Sequence, residues 1–135
     1  MKNFTTNADA SYKEAHIQMQ KQKDTTSVLN IHVEIVHASA SLFFHDKISA
    51  NRRISNISRT VLLLSSYVDR DSIIKLQQEL LYLLTSVDNF HKYAETLTNG
   101  NAKTSLLQAI NRYERDLDKA IKHCDKLMRE ITQAL

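Results

Sequence analysis

The chain has 135 residues, 42% hydrophobic and 24% charged, with no proline, no tryptophan, one glycine, one cysteine and a formal net charge of +3. That length fits one domain with a real core, and so few chain breakers point to an all-α protein. A single glycine excludes a glycine-rich phosphate loop and a glycine-flanked nucleophile elbow, a single cysteine excludes an internal disulfide, and so mild a positive charge does not call for nucleic acid.

Residues 1–23 carry the weakest pattern. Thr5, Thr6, Asn7 and Asp9 suit a helix start, and Tyr12, Ala15, Ile17 and Met19 suit one short amphipathic helix among Lys, Gln and Asn residues. A weak helix over 8–22, or a semi-ordered arm, is expected here, set apart from a bundle over 24–135. No apolar run near the N-terminus has signal-peptide length, and none elsewhere could span a bilayer, so a cytoplasmic protein without membrane insertion is expected.

The run Asp24-Thr25-Thr26-Ser27 offers several N-cap residues, and Val28, Ile31, Ile35, Ala38 and Leu42 follow in a three-four stripe flanked by Leu29, Val36 and Phe43. This predicts a first long helix over 26–45. Its many β-branched residues make a strand the rival reading, but strict alternation does not persist. After a break at 46–49, Ala50, Ile54, Ile57, Val61, Leu64 and Val68 predict a second helix ending near Asp69. Asp71 and Ser72 then cap a third helix with its seam at Ile73, Leu76, Leu80, Leu83, Val87, Phe90, Ala94 and Leu97. It stops at Asn99-Gly100, where the glycine can take the left-handed conformation that closes a helix.

The fourth helix, 101–135, has the clearest pattern. Leu106, Ile110, Tyr113, Leu117, Ala120, Cys124, Leu127, Ile131 and Ala134 alternate in steps of four and three, with Leu107, Ile121, Met128 and Leu135 beside them. It would be roughly 50 Å long. Short loops make an antiparallel up-down-up-down four-helix bundle the economical fold, with a weakly helical N-terminal arm and a long C-terminal helix. The surplus of the fourth helix emerges where the first begins, so the arm is expected to pack on that overhang or on the patch described next.

Leu62, Leu63 and Tyr67 on the second helix, and Ile74, Leu81, Tyr82 and Leu84 on the third, lie outside the seams and towards the Asp69–Asp71 turn. Either the bundle and the arm bury them, or they form a groove for an amphipathic helix of another protein, with the arm as a removable lid. The candidate partner-binding residues are Leu62, Leu63, Ile74, Leu81 and Leu84, with Tyr12 on the lid. A secondary basic face, Arg52, Arg53 and Arg59, is either a solvated helix face or a site for an acidic partner. No aromatic residues interleave with these arginines as single-stranded nucleic acid would require.

Reactive chemistry finds little support. Glu34 with His37, and Asp88 with His91, have Glu-x-x-His-like spacing, but the second helix has no acid between Ile48 and Val68 to complete a di-iron carboxylate site. No metal, cofactor or catalytic residue is expected. His91-Lys92 lacks the small neighbours of a phosphorelay histidine, since Tyr93 follows. Cys124 sits in the fourth seam as a small apolar side chain; reactivity would need His123 or Lys122 to lower its pKa.

Three stretches resemble the flagellin export chaperones of the FliS type. Ile48-Ser49-Ala50-Asn51-Arg52-Arg53-Ile54-Ser55-Asn56-Ile57 is similar to the opening of that family's second helix. Leu76 to Leu83, with Leu80-Leu81-Tyr82, is similar to its third-helix Leu-Tyr segment, and Ala8 to Tyr12 ahead of Thr25-Thr26-Ser27 resembles its N-terminal elements. The likeness covers roughly residues 8–122. Asp69-Arg70-Asp71 replaces the family's glycines before the third helix, its late tryptophan is missing, and the chain continues past Lys122. The resemblance implies a cytoplasmic protein that binds an aggregation-prone segment of a secreted filament subunit and prevents premature polymerisation. Two other readings are a small helical inhibitor or immunity-type protein acting through the basic face, and a homodimer joined through the overhang of the fourth helix.

Overall fold

A computed structural model describes residues 2–134, with side chains from Ala8 onward. Four helices account for almost all of it: α1 (Lys2–Phe43), α2 (Lys47–Leu62), α3 (Arg70–Glu95) and α4 (Asn101–Ala134). The four seams close on one another: Ile31, Ile35 and Ala38 of α1, Ile54 and Ile57 of α2, Leu76, Leu80 and Leu83 of α3, and Ile110, Leu117 and Ala120 of α4 are all buried. The fold is the expected all-α four-helix bundle.

Its corners are not arranged as chain order suggests. Among the described residues α1 packs on α2 and α3 and α4 packs on the same two, while the backbones of α1 and α4, and of α2 and α3, do not come close. Around the square the order is therefore α1, α2, α4, α3, and the connection over 63–69 crosses the end of the bundle diagonally. His45 after α1 stacks on Tyr93 near the end of α3, with ring centroids 3.6 Å apart, so these two helices run the same way. α2 and α4 run the other way.

The arm is not a separate element. The residues expected to cap a new helix at 24–27 are accommodated inside one. Thr25 Oγ1 donates to the Lys21 carbonyl at 2.9 Å and Thr26 Oγ1 to the Gln22 carbonyl at 3.1 Å, the back-bonding that lets threonine sit in a helix interior. The Asp24 side chain leaves the helix axis: Asp24 is only 2% exposed, accepts a hydrogen bond from the Ser65 hydroxyl, and takes another from Gln20 Nε2 at 3.0 Å. The part of α1 ahead of Asp24 projects roughly 33 Å beyond that level. From Asp9 to His16 every residue is exposed, so this segment is not folded back as a lid, and among the described residues the α1 backbone does not come close to α4. The α4 overhang is the shorter one: Met128 and Ile131 still pack partly against the core.

Helix ends follow capping chemistry. At the end of α1, His45 N–H donates to Leu42 O and Asp46 N–H to Ser41 O, a Schellman closure with His45 at the left-handed position, φ 57°. Asp46 and Asp69 cap α2 and α3 by accepting from Ser49 N and Ser72 N. α2 stops at Leu62, seven residues before the expected boundary. Leu64 and Val68 nevertheless remain buried, because the loop carries them into the same core. The freed Leu64 carbonyl accepts from His123 Nε2 at 3.0 Å. Gly100 does not close α3, which ends in a tight turn with Thr96 N–H on Tyr93 O. Gly100 stands immediately before α4, its carbonyl accepting from Thr104 N–H.

Candidate functional site

The diagonal placement of α2 and α3 separates the residues expected to form one groove. Leu62 and Leu63, the latter 71% exposed, border a shallow depression between α2 and α4 with Arg59, Asp116 and Lys119. Ile74, Leu81 and Leu84 lie on the opposite flank of α4. They share a side of α3 with Gln77, whose Nε2 donates to Asp125 Oδ1 at 2.6 Å and to the Ile121 carbonyl at 3.3 Å. Leu84 packs against the core, Ile74 is half-buried and Leu81 is half-exposed. Tyr12 stands on the projecting part of α1. α4 stands between the two leucine groups, and Tyr12 lines a separate depression with Ile17 and Tyr67, so these six residues do not make a common site.

The basic face also divides. Arg52 and Arg59 are exposed on α2, but Arg53 turns towards α1, where its Nη1 donates to Glu34 Oε1 at 2.9 Å. Glu34 is thereby committed to an ion pair on the α1–α2 seam. Among the described residues no three His, Cys, Asp or Glu side chains gather as metal ligands would. Cys124 is buried, and loss of solvation, with Asp125 adding to it, pushes its thiol up to about 11, so it carries no thiolate at neutral pH. The Tyr113 phenol is raised to about 12, mainly by burial, and donates to the Lys47 carbonyl at 3.1 Å as a structural bond.

The apolar surface that stands out belongs to α1. Its core stripe faces inwards, while on the opposite side Leu29, Val33, Val36 and Phe43 are exposed, Val36 by 68% and Phe43 by 76%. Val36 and Phe43 overhang a furrow between α1 and α3. One part encloses about 720 Å³ between Ile35, Val36 and Ser39 on α1 and Lys75, Gln78 and Tyr82 on α3. The next, about 610 Å³, runs from Ser39 and Phe43 to Ser86 and Asn89. The furrow exists because serines at 39 and 86 leave space that larger side chains would fill. From His32 to Phe43 it follows about three turns of α1, roughly 17 Å. Its rim is polar, held across the two helices by the His32–Glu79 pair. Ile35, Val36, Leu42, Phe43 and Tyr82 set among polar side chains over this length suit an amphipathic helix.

The sequence did carry a signal for this surface. Val36 and Phe43 flank the core stripe seven residues apart, and Tyr82 is one of the off-seam residues of α3. Pairing α2 with α3 directed attention to Leu62 and Leu81 instead. No family model, no curated protein and no solved structure matches this chain. The likeness to FliS-type chaperones therefore rests on three stretches. The structure places them in the first half of α1, the first turns of α2 and the middle of α3.

Proposed function

We propose that the protein is a cytoplasmic export chaperone of a secreted, flagellar-type filament subunit, which holds an amphipathic helical segment of that client along the α1–α3 furrow and prevents its premature polymerisation. The observation that carries this reading is the exposed row Val36, Phe43 and Tyr82 (72% exposed) beside a furrow of helix length and polar rim. The FliS-type stretches supply the client class. Among the described residues no helix is long and apolar enough to cross a membrane, which accords with a protein that meets its client before export.

Photo-crosslinking in the native cell tests it. A crosslinker replacing Tyr82 should capture one secreted filament subunit through a segment with helical apolar spacing, and Val36→Asp should abolish the adduct. A crosslinker at Leu62 should not capture it. Equal capture from both positions, or an adduct unaffected by Val36→Asp, would remove the furrow from the function. The alternative, an inhibitor or immunity-type protein acting through Arg52, Arg53 and Arg59, is weakened by the commitment of Arg53 to Glu34. Binding by that route would weaken steeply with salt, whereas furrow binding would respond little.

A further inference from the structure

The outward side of α1 carries a second regular row. Tyr12, Ala15, Met19, Gln22, Thr26, Leu29, Val33, Val36, Ala40 and Phe43 alternate in steps of three and four from Tyr12 to the end of the helix, and all are exposed. None is charged, although Asp9, Lys13, Glu14, Lys21, Lys23 and Glu34 lie on the same helix off this row. A water-facing helix side ordinarily carries the charges; a three-four row free of them is a coiled-coil seam. Half of it runs along the projecting segment, where among the described residues Tyr67 stands beside Tyr12 and leaves it 78% exposed, and half along the bundle.

We infer that two copies of the chain pair through this seam, antiparallel, so that the projecting segment of each α1 lies on the bundle-borne half of the other. In the register that brackets the row, Tyr12 meets Phe43 of the second copy, Met19 meets Val36 and Thr26 meets Leu29, with the two-fold axis between Ser27 and Val28. The two halves are unequal, and this favours the orientation. The projecting half sets Ala15, Gln22 and Thr26 around Tyr12 and Met19, less apolar surface than Leu29, Val33, Val36 and Phe43 present on the other half. A parallel pair would place poor on poor. A single isologous contact then covers both bare surfaces.

The area suffices. Tyr12 and Phe43 are 78% and 76% exposed, and four such aromatic side chains remove roughly 600 Å² from water. The remaining layers carry the total past the roughly 1,200 Å² at which specific interfaces hold. A segment of this composition is also a marginal helix when alone in water, and pairing stabilises it. Self-pairing does not depend on client binding, but the two share Val36 and Phe43, so a client helix and a second copy would compete.

Sedimentation of the full chain over a concentration series, with spin labels at Glu14→Cys, tests the pairing. A dimer mass and a label separation of about 40 Å, from 27 residues at 1.5 Å each, would support it. Labels within about 20 Å would mean a parallel pair, and a monomer mass throughout would mean no pair; either overturns the proposal. Met19→Glu and Val33→Glu should each abolish the dimer at concentrations where the unaltered chain is dimeric, without changing its helical signal. Leu63→Glu, an exposed leucine off the seam, should not. If Leu63→Glu alone separated the copies, the interface would be elsewhere.

Discussion

Replacing Asp24 by alanine distinguishes two roles that the same residue could have. As a helix cap, Asp24 would act only on its own backbone. As the buried partner of Ser65, it fastens α1 to the connection between α2 and α3. Hydrogen bonds to a charged group contribute about 1.5–3 kcal/mol, and Asp24→Ala also strands a partly buried hydroxyl, so a loss of about 2–3 kcal/mol is expected. For a domain of this size that lowers the melting temperature by roughly 8–10 °C. Ser65→Ala should cost about 1–2 kcal/mol, and the double variant little more than Asp24→Ala alone. The coupling energy from urea denaturation of all four proteins should thus be about 1–2 kcal/mol. A coupling within about 0.3 kcal/mol of zero, together with full rescue by the good capping residue in Asp24→Ser, would refute the fastening role.

Three further outcomes are expected. His45→Gly should unfold within about 1 kcal/mol of the parent, because relief at φ 57° offsets the lost stacking on Tyr93, whereas His45→Ala loses the stacking without relief and should cost about 1–2 kcal/mol in thermal denaturation. The Cys124 thiol should react with a disulfide reagent at pH 8 orders of magnitude more slowly than in denaturant, since burial raises its pKa to about 11; equal rates would place it at the surface. Asp69 is held below its ordinary value of 3.8 by the Ser72 hydroxyl and amide, so its stabilising contribution is present above that value and lost as pH falls through the folded-state pKa. The stability difference between parent and Asp69→Ala, about 1 kcal/mol near neutral pH, should shrink below pH 4 in acid titrations followed by circular dichroism.

The core was legible because each seam obeys one period: Ile73, Leu76, Leu80, Leu83 and Val87 are buried where their spacing places them. The end of α2 was not, since Leu64 and Val68 keep helical spacing after the backbone has left the helix. The Asp24–Ser27 run was misleading for a physical reason. Residues that cap helices can equally satisfy themselves inside one, or reach a distant hydroxyl, and local sequence does not say which. Helix adjacency was the costlier gap. An apolar stripe records that a helix has partners but not which, so Leu62 and Leu81 could be assigned to one groove although α4 divides them. The outer row of α1 went unread because its projecting half is diluted by Gln22 and Thr26, which only a continuous helix brings into line with Val33 and Val36.

The diagonal crossing over 63–69 makes the molecule two hairpins, α1–α2 and α3–α4, laid face to face like the covers of a book. The α2–α4 edge is densely joined and serves as the spine. The α1–α3 edge is the most sparsely joined of the four, tied at mid-length by His32 and Glu79. A side chain wedged in there has the fewest neighbours to displace of the four edges, while the His45–Tyr93 stack holds one end of that edge closed.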